Sequence, residues 1–188
     1  MQRGIAVRTA LRPLTRSRTV EILFWTLAFT AATALSAQVR IPLPFTSVPL
    51  TLQTFFVLLA GVTLGSAWGA ASMGLYLALG AIGLPLFTGS GVGLAHLGGP
   101  TGGYLLAFPL AAYLAGWIAS GRPGTLRILG ALAAGEVLVL GAGTLWLSLL
   151  AGISPARAAV LGLLPFLAGD AVKLTAAAVL ARRTGRLI

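Results

Sequence analysis

The chain has 188 residues, of which 57% are hydrophobic and 9% are charged, with 13 basic and three acidic residues. Soluble domains are about 25% charged, so this composition excludes an ordinary soluble protein and indicates membrane helices. The absence of cysteine excludes disulfides, thiolate metal sites and cysteine nucleophiles. The single histidine argues against a histidine metal site. The basic residues stand at segment ends rather than on an aromatic-rich face, which argues against nucleic-acid binding.

Six apolar segments predict an all-α polytopic membrane protein with six transmembrane helices. They cover Thr19–Gln38, Leu50–Leu64, Ala67–Leu84, Thr101–Ser120, Arg127–Leu150 and Ala156–Ala181. The second and third lie in one apolar stretch of 35 residues, which as a single helix would be roughly 52 Å long. The hydrocarbon core is only about 30 Å thick. We therefore predict a turn between the two segments, at residues 65–69.

The arginines predict the orientation of the bundle. With six spans and the N-terminus inside, ten of the 13 basic residues face the cytoplasm. These ten are Arg3, Arg8, Arg12, Arg16, Arg18, Arg122, Arg127, Arg182, Arg183 and Arg186. Both termini are then cytoplasmic, and residues 19–188 form a single membrane domain.

Residues 1–18 form a basic cytoplasmic arm in this prediction. The arm either lies along the anionic inner leaflet or serves only as a topology signal. A cleaved signal peptide is the alternative interpretation of the arm and the first apolar segment, since small residues follow that segment. Cleavage would spoil the charge count, and the apolar run is long for a signal peptide.

Two irregular loops are predicted on the outer side. Residues 40–49 contain three prolines, which prevent a helix, yet the loop is apolar and should pack on the bundle as a lid. Gln53 follows with a threonine on either side of it, at the mouth of the second helix. The second loop, residues 85–100, is rich in glycine and leads to Thr101 and a helix start whose free N–H groups favour anions or carbonyl oxygens. The alternative for this loop is a flexible turn.

Two opposite charges stand inside the last apolar segment. Asp170 and Lys173 are three residues apart, so a helix places them on one face. Each costs about 2.5–3.5 kcal/mol at the bilayer centre, which points either to a ligand site or to a structural ion pair. Glu136 should share their depth, and we expect it to pair with Lys173 or to complete a triad. Pro165 is predicted to begin the final helix, leaving residues 154–164 as a separate outer segment.

The ordered motifs resemble those of the BioY family, the biotin-specific substrate-binding (S) components of energy-coupling factor transporters. The matching stretches are AQVRIPLP at residues 37–44, VPLTLQT at 48–54, GAIGLP at 80–85, GPTGGY at 99–104 and PFLAGD at 165–170 with Lys173. The resemblance implies high-affinity biotin binding and uptake, with the pocket open to the outside of a prokaryotic cell membrane. It also implies that Asp170 and Lys173 bind biotin, whose ureido ring has two N–H donors and one carbonyl acceptor.

The predicted binding site gathers residues from both loops. Phe45, Leu52 and Tyr104 are expected to form apolar walls for the rest of the vitamin. Family members often carry an asparagine in the glycine-rich loop, and here Ser90 or a backbone group would replace it. The full set of predicted substrate-binding residues is Asp170, Lys173, Tyr104, Gln53, Arg40, Phe45, Ser90 and Thr101.

The resemblance also implies partner subunits. These are a transmembrane coupling (T) subunit and two cytoplasmic ATPase (A) subunits, which use the ATP, since this chain has no phosphate-binding loop motif. Ala28 and Ala32, four residues apart on the first helix, are the predicted docking face, although chance spacing is the alternative in a chain rich in alanine. We predict no cofactor, no metal site and no catalytic residue, and a homo-oligomer is left open.

Two rival functions remain at this stage. A proton-coupled carrier of small solutes would use Glu136, Asp170 and Lys173 as a relay. An intramembrane enzyme would use Ser90 and His96 as a dyad, but both lie in one loop without a third group to orient them.

Overall fold

The computed structural model describes residues 18–188, in which α-helices make up most of the chain. The elements are α1 (Arg18–Gln38), β1 (Arg40–Ile41), β2 (Leu50–Thr51), α2 (Gln53–Ala81), α3 (Gly93–Leu97), α4 (Gly102–Ile118), α5 (Thr125–Ala151), α6 (Pro155–Gly162) and α7 (Leu167–Thr184). The predicted basic arm, residues 1–18, lies outside the described residues except for Arg18, with which α1 begins. The prediction of a helical membrane protein is confirmed.

A small sheet corrects the prediction of a purely α-helical chain. The strands β1 and β2 are antiparallel, with Arg40 opposite Thr51 and Ile41 opposite Leu50. Three prolines between Arg40 and Leu50 exclude a helix, so the chain closes this segment as a β-hairpin. We call the end of the bundle that carries it the hairpin end.

The helix α2 contains a chain reversal at Gly65. Gly65 has φ 79° and ψ 175°, a conformation outside the helical region that glycine adopts without a steric penalty. The two halves fold back on each other, because Gln53 Nε2 lies 2.7 Å from Tyr76 Oη. In a continuous helix these residues would be about 34 Å apart. The predicted turn at residues 65–69 is therefore confirmed, and it begins at Gly65.

The last apolar segment is also divided. The helices α6 and α7 meet at an angle of 56° across a break of four residues. The predicted separate segment before the final helix is therefore confirmed. The predicted start at Pro165 is wrong by two residues, because Pro165 lies in the connecting turn and Phe166 occupies the cap position before Leu167.

The polarity of the bundle is that of a protein in lipid. Large apolar side chains such as Leu126, Val137 and Val172 are more than two-thirds exposed, whereas Glu136, Asp170 and Lys173 are buried. By length and composition, three helices of the described chain are able to cross a membrane, or four if α6 and α7 form one bent span. That count treats α2 as one span although the chain reverses within it.

The end opposite the hairpin is basic. Arg127 donates to the Ile118 carbonyl at 2.6 Å, and Arg182 donates to the Thr125 hydroxyl, so the last turns of α4 and α7 meet the start of α5. Leu187 N donates to the Thr63 carbonyl at 3.0 Å, near the Gly65 turn. We call this the basic end.

Glycines let α2 and α4 pack backbone against backbone. A Cβ added at Gly116 would fall on the Gly61 carbonyl and on the backbone at Gly65 and Ser66. A Cβ added at Gly61 would meet the Ala112 carbonyl. This close approach fixes the Gly65 turn against α4 and leaves no room for a side chain.

We predict that Gly116→Ala lowers the free energy of unfolding by at least the 1–3 kcal/mol typical of an overpacked core. The reason is that the new methyl group meets backbone atoms, which cannot rotate away. Gly141→Ala is the matched control, because a Cβ at that helical position meets nothing within 4 Å. Thermal unfolding in detergent measures both, and equal melting temperatures would contradict the packing described here.

Candidate functional site

A buried polar cavity lies where α2, α4, α5 and α7 converge near the hairpin end. This deep cavity has a volume of about 50 Å³ and includes Gln53, Glu136, Asp170 and Lys173 among its walls. Apolar side chains such as Tyr104, Phe108 and Phe166 form the rest of its lining. The cavity therefore joins a small cluster of charges to an aromatic wall, within a bundle whose exterior is apolar.

Lys173 uses all three of its N–H donors within the protein. Its ammonium lies 2.6 Å from Asp170 Oδ1, donates to the Thr51 carbonyl at 3.0 Å and donates to Thr54 Oγ1 at 3.1 Å. An ammonium has three donors and no acceptor, so its hydrogen-bonding capacity is filled. The predicted pairing of Asp170 with Lys173 follows from their spacing on α7 and is present in the structure.

The two carboxylates of the cavity, in contrast, have unfilled capacity to accept hydrogen bonds. Asp170 and Glu136 are both buried, and apart from the ion pair of Asp170 with Lys173 neither carboxylate has a well-formed hydrogen bond from the described residues 18–188. Asp170 forms an ion pair with the ammonium of Lys173, and Glu136 lies within interaction distance of Asp170, Lys173 and the Thr54 hydroxyl. No ion pair joins Glu136 to Lys173 in the described residues, because α7 itself supplies the nearer carboxylate. All three side chains line the deep cavity, as the predicted alternative of a triad requires. The cavity as a whole therefore has a surplus of acceptors and a shortage of donors.

Gln53 organises the mouth of the deep cavity. Its Oε1 accepts from Thr51 Oγ1 and from Thr88 Oγ1, each at 3.1 Å. Its Nε2 donates to Tyr76 Oη at 2.7 Å. One amide thus joins β2, both halves of α2 and the glycine-rich loop.

A second cavity adjoins the first at the hairpin end. This hairpin cavity has a volume of about 290 Å³ and is lined by the first loop, residues 40–49, together with Thr88, His96, Pro100 and Thr101. Pro49, Thr88 and Thr101 line both cavities. Together they reach the lower end of the size range of small-molecule pockets, roughly 300–1,000 Å³.

The predicted site residues divide between these spaces. Asp170, Lys173, Tyr104, Gln53 and Thr101 line the deep cavity, and Arg40 and Thr101 line the hairpin cavity. The Tyr104 hydroxyl donates to the Gly162 carbonyl at 2.6 Å. Because the hydroxyl is used in this bond, Tyr104 contributes its aromatic ring to the deep cavity.

Phe45, Leu52 and Ser90 line neither cavity. Phe45 is 56% exposed and Leu52 is 44% exposed. Ser90 is exposed and has φ 61°, and from the glycine-rich loop it is Thr88 that reaches the deep cavity. His96 Nε2 lies 3.4 Å from Thr101 Oγ1, and the described residues form no hydrogen bond between His96 and Ser90, so a dyad has no geometric support.

The prediction missed several residues of the deep cavity. Thr51, Thr54, Thr88 and Glu136 are polar members outside the predicted binding set, although Glu136 was expected beside Lys173, and Phe108, Phe166, Val139 and Leu140 are apolar ones. The sequence held a signal for two of them, because Thr54 follows Gln53 and Glu136 is an acid within an apolar helix. The apolar members carry no signal that separates them from the other core residues.

Ala28 and Ala32 lie in an apolar groove on the other side of the molecule. Trp25, Phe56 and Leu180 are among its other lining residues, and the groove has a volume of about 260 Å³. The small side chains of the two alanines form its floor on α1 and leave the groove open, which suits a docking helix.

The fold and the cavity together define a helical membrane protein with an internal cavity that contains buried carboxylates. The sequence profile of the BioY family matches residues 9–188. The chain belongs to the BioY family. This membership confirms the resemblance drawn from the motifs and the prediction that the chain is not an enzyme.

Individual relatives agree with this assignment. A probable biotin transporter BioY of Pyrococcus horikoshii is 43% identical over 155 residues, which cover 82% of this chain and 90% of that protein. The biotin transporter BioY of Thermotoga maritima is 37% identical over 160 residues, covering 85% and 92%. A solved structure, described as the S-component for biotin from an ECF-type ABC transporter, superimposes with a TM-score of 0.83 at 31% identity, covering 90% of this chain and 93% of the other.

We predict that Lys173→Met destabilises the ligand-free protein by about 3–5 kcal/mol, because it leaves a buried carboxylate without its ion-pair partner. Adding Asp170→Asn should restore part of the loss, since the second change removes the stranded charge. Unfolding in detergent measures both variants, and Arg157→Met is the control because Arg157 is exposed and lines neither cavity. A double variant no more stable than the single one would contradict the charge argument.

Proposed function

We propose that this chain captures biotin for uptake across the cell membrane, as the substrate-binding subunit of an energy-coupling factor transporter. Its membership of the BioY family and its similarity to biotin transporters support biotin as the substrate. The observation that carries the proposal is the pair of buried carboxylates in the deep cavity, which have one ion pair, to Lys173, among the described residues.

The ureido group matches this imbalance. It offers two N–H donors, and the carboxylates of Asp170 and Glu136 are buried acceptors with unfilled capacity in the deep cavity. Hydrogen bonds to charged groups contribute about 1.5–3 kcal/mol each, roughly twice the value for neutral pairs. Lys173 then donates a hydrogen bond to the ureido carbonyl in place of one of its present acceptors, the Thr51 carbonyl or the Thr54 hydroxyl. The aromatic wall of Tyr104, Phe108 and Phe166 suits the thiophane ring.

We further propose six passages through the membrane, with the hairpin end outside and both termini in the cytoplasm. The reversal at Gly65 supports this arrangement, since it makes two passages of α2. Arg122, Arg127 and Arg182 gather at the basic end, as the positive-inside rule favours for the cytoplasmic side. Residues 19–188 would then be one membrane domain of a prokaryotic plasma membrane, with residues 1–18 as its cytoplasmic arm.

The proposed partners are a transmembrane coupling subunit and two ATPases. We assign the coupling subunit to the apolar groove that contains Ala28 and Ala32. The groove lies on α1, α2 and α7, away from both cavities. Biotin binding and partner docking would thus use separate faces of the bundle.

We predict that Asp170→Asn weakens biotin binding by about 1.5–3 kcal/mol, because the amide is a poorer acceptor for the ureido N–H groups than the carboxylate. Equilibrium binding of labelled biotin to the purified protein measures this. Glu21→Gln is the control, since Glu21 lies in the first turn of α1, outside both cavities. A folded Asp170→Asn variant with unchanged affinity would remove Asp170 from the site, and failure of the unaltered protein to bind biotin would overturn the function.

We also predict that replacing Ala28 and Ala32 by leucine leaves biotin binding intact and abolishes ATP-driven uptake. The larger side chains would fill the groove and keep a partner helix away. Ala31→Leu is a matched control, because Ala31 is exposed on α1 and does not line the groove. Uptake by vesicles that contain the full transporter measures the effect, and unimpaired uptake by the double variant would place docking elsewhere.

A further inference from the structure

The size of the deep cavity raises the question of where the acidic tail of the ligand lies. At about 50 Å³ the deep cavity has room for a head group, whereas the adjoining hairpin cavity measures about 290 Å³. The two share walls at Pro49, Thr88 and Thr101. A ligand whose ureido ring reaches Asp170 must therefore extend its tail toward the hairpin cavity.

One cationic side chain in that cavity lacks a carboxylate partner. Arg40 lines the hairpin cavity, and its guanidinium forms no ion pair or hydrogen bond with the described residues 18–188. The sequence contains three acidic side chains, and none of them pairs with Arg40. Glu21 is in the first turn of α1, while Glu136 and Asp170 line the deep cavity. Arg40 is exposed, so water can solvate its guanidinium in the ligand-free protein, and a carboxylate partner for it would come from outside the described chain.

The position of Arg40 is fixed relative to the charged cluster. Its backbone pairs with Thr51 across the hairpin, and the carbonyl of Thr51 accepts a hydrogen bond from Lys173. Its guanidinium lies against Gly89, where any Cβ would collide with it and where φ is +70°. The hairpin therefore holds a cation on one side of the shared wall and the acceptor-rich cluster on the other.

His96 does not compete with Arg40 as a cation. It lines the same cavity, and its ring stacks on Phe87 with centroids 5.2 Å apart. Burial lowers the pKa of His96 below its usual value, so the ring is neutral at pH 7. Thr46, Ser47 and Thr101 add neutral hydroxyl groups to the cavity.

We propose that Arg40 is the carboxylate-binding residue of this protein: it pairs with the free acid of the ligand's tail and so selects biotin over its neutral amides and esters. This inference rests on the proposed function and adds a second recognition point to it. A guanidinium is suited to the task because its planar donors match both oxygens of a carboxylate.

The test compares biotin with biotinamide, which keeps the ring and chain but has no charge. The purified, full-length protein should bind biotin about tenfold or more tightly than biotinamide. Arg40→Gln should lose that preference by weakening biotin alone, and Arg40→Lys should keep part of it. Arg157→Gln is the matched control, because it removes an exposed arginine that lines neither cavity.

Each outcome decides the inference. If Arg40→Gln weakens both ligands equally, the arginine only supports the fold. If it leaves both affinities unchanged, Arg40 serves another anion, such as a lipid phosphate. A protein that binds both ligands alike contradicts the proposal without any variant, and one that binds neither overturns the proposed function itself.

Discussion

The structure depends on an imbalance between donors and acceptors at the heart of an apolar bundle. Lys173 places its three donors on Asp170, Thr51 and Thr54, so the two carboxylates share one ammonium donor and keep most of their acceptor capacity unfilled by the described residues. Buried acceptors without donors are costly, so the protein keeps them at the expense of stability. The starts of α2, α4 and α7 converge on this cluster, and the tight glycine contacts between α2 and α4 hold the surrounding walls in place.

Much of this arrangement could be predicted from local sequence. The turn at Gly65 follows from the length of the apolar stretch, and the pairing of Asp170 with Lys173 follows from a spacing of three on one helix. Both depend on neighbours along the chain. Strands of two residues are too short to show the alternation of polar and apolar residues that predicts a strand, although the prolines between them indicated an extended loop.

The parts that escaped prediction depend on contacts between distant segments. Glu136 and Lys173 lie on different helices. The sequence predicts how deep each side chain lies along its helix, but it does not predict which carboxylate pairs with the ammonium. In the glycine-rich loop, the positive φ of Gly89 and Ser90 leaves Ser90 exposed while Thr88 reaches Gln53. Phe45 was expected in the wall of the binding site because it is hydrophobic. Hydrophobicity does not distinguish an aromatic residue that faces lipid from one that faces a ligand.

The hydrogen bond from Lys173 to Thr51 has a consequence for how the site opens. Thr51 belongs to strand β2, which closes the loop over the cavities. A ligand that binds the Lys173 ammonium therefore competes with a hydrogen bond that holds this loop. Thermodynamic reciprocity then requires that whatever loosens the lid also changes the affinity for the guest, by the same factor. The β-hairpin and a bound molecule would in this sense be coupled through one backbone carbonyl, that of Thr51.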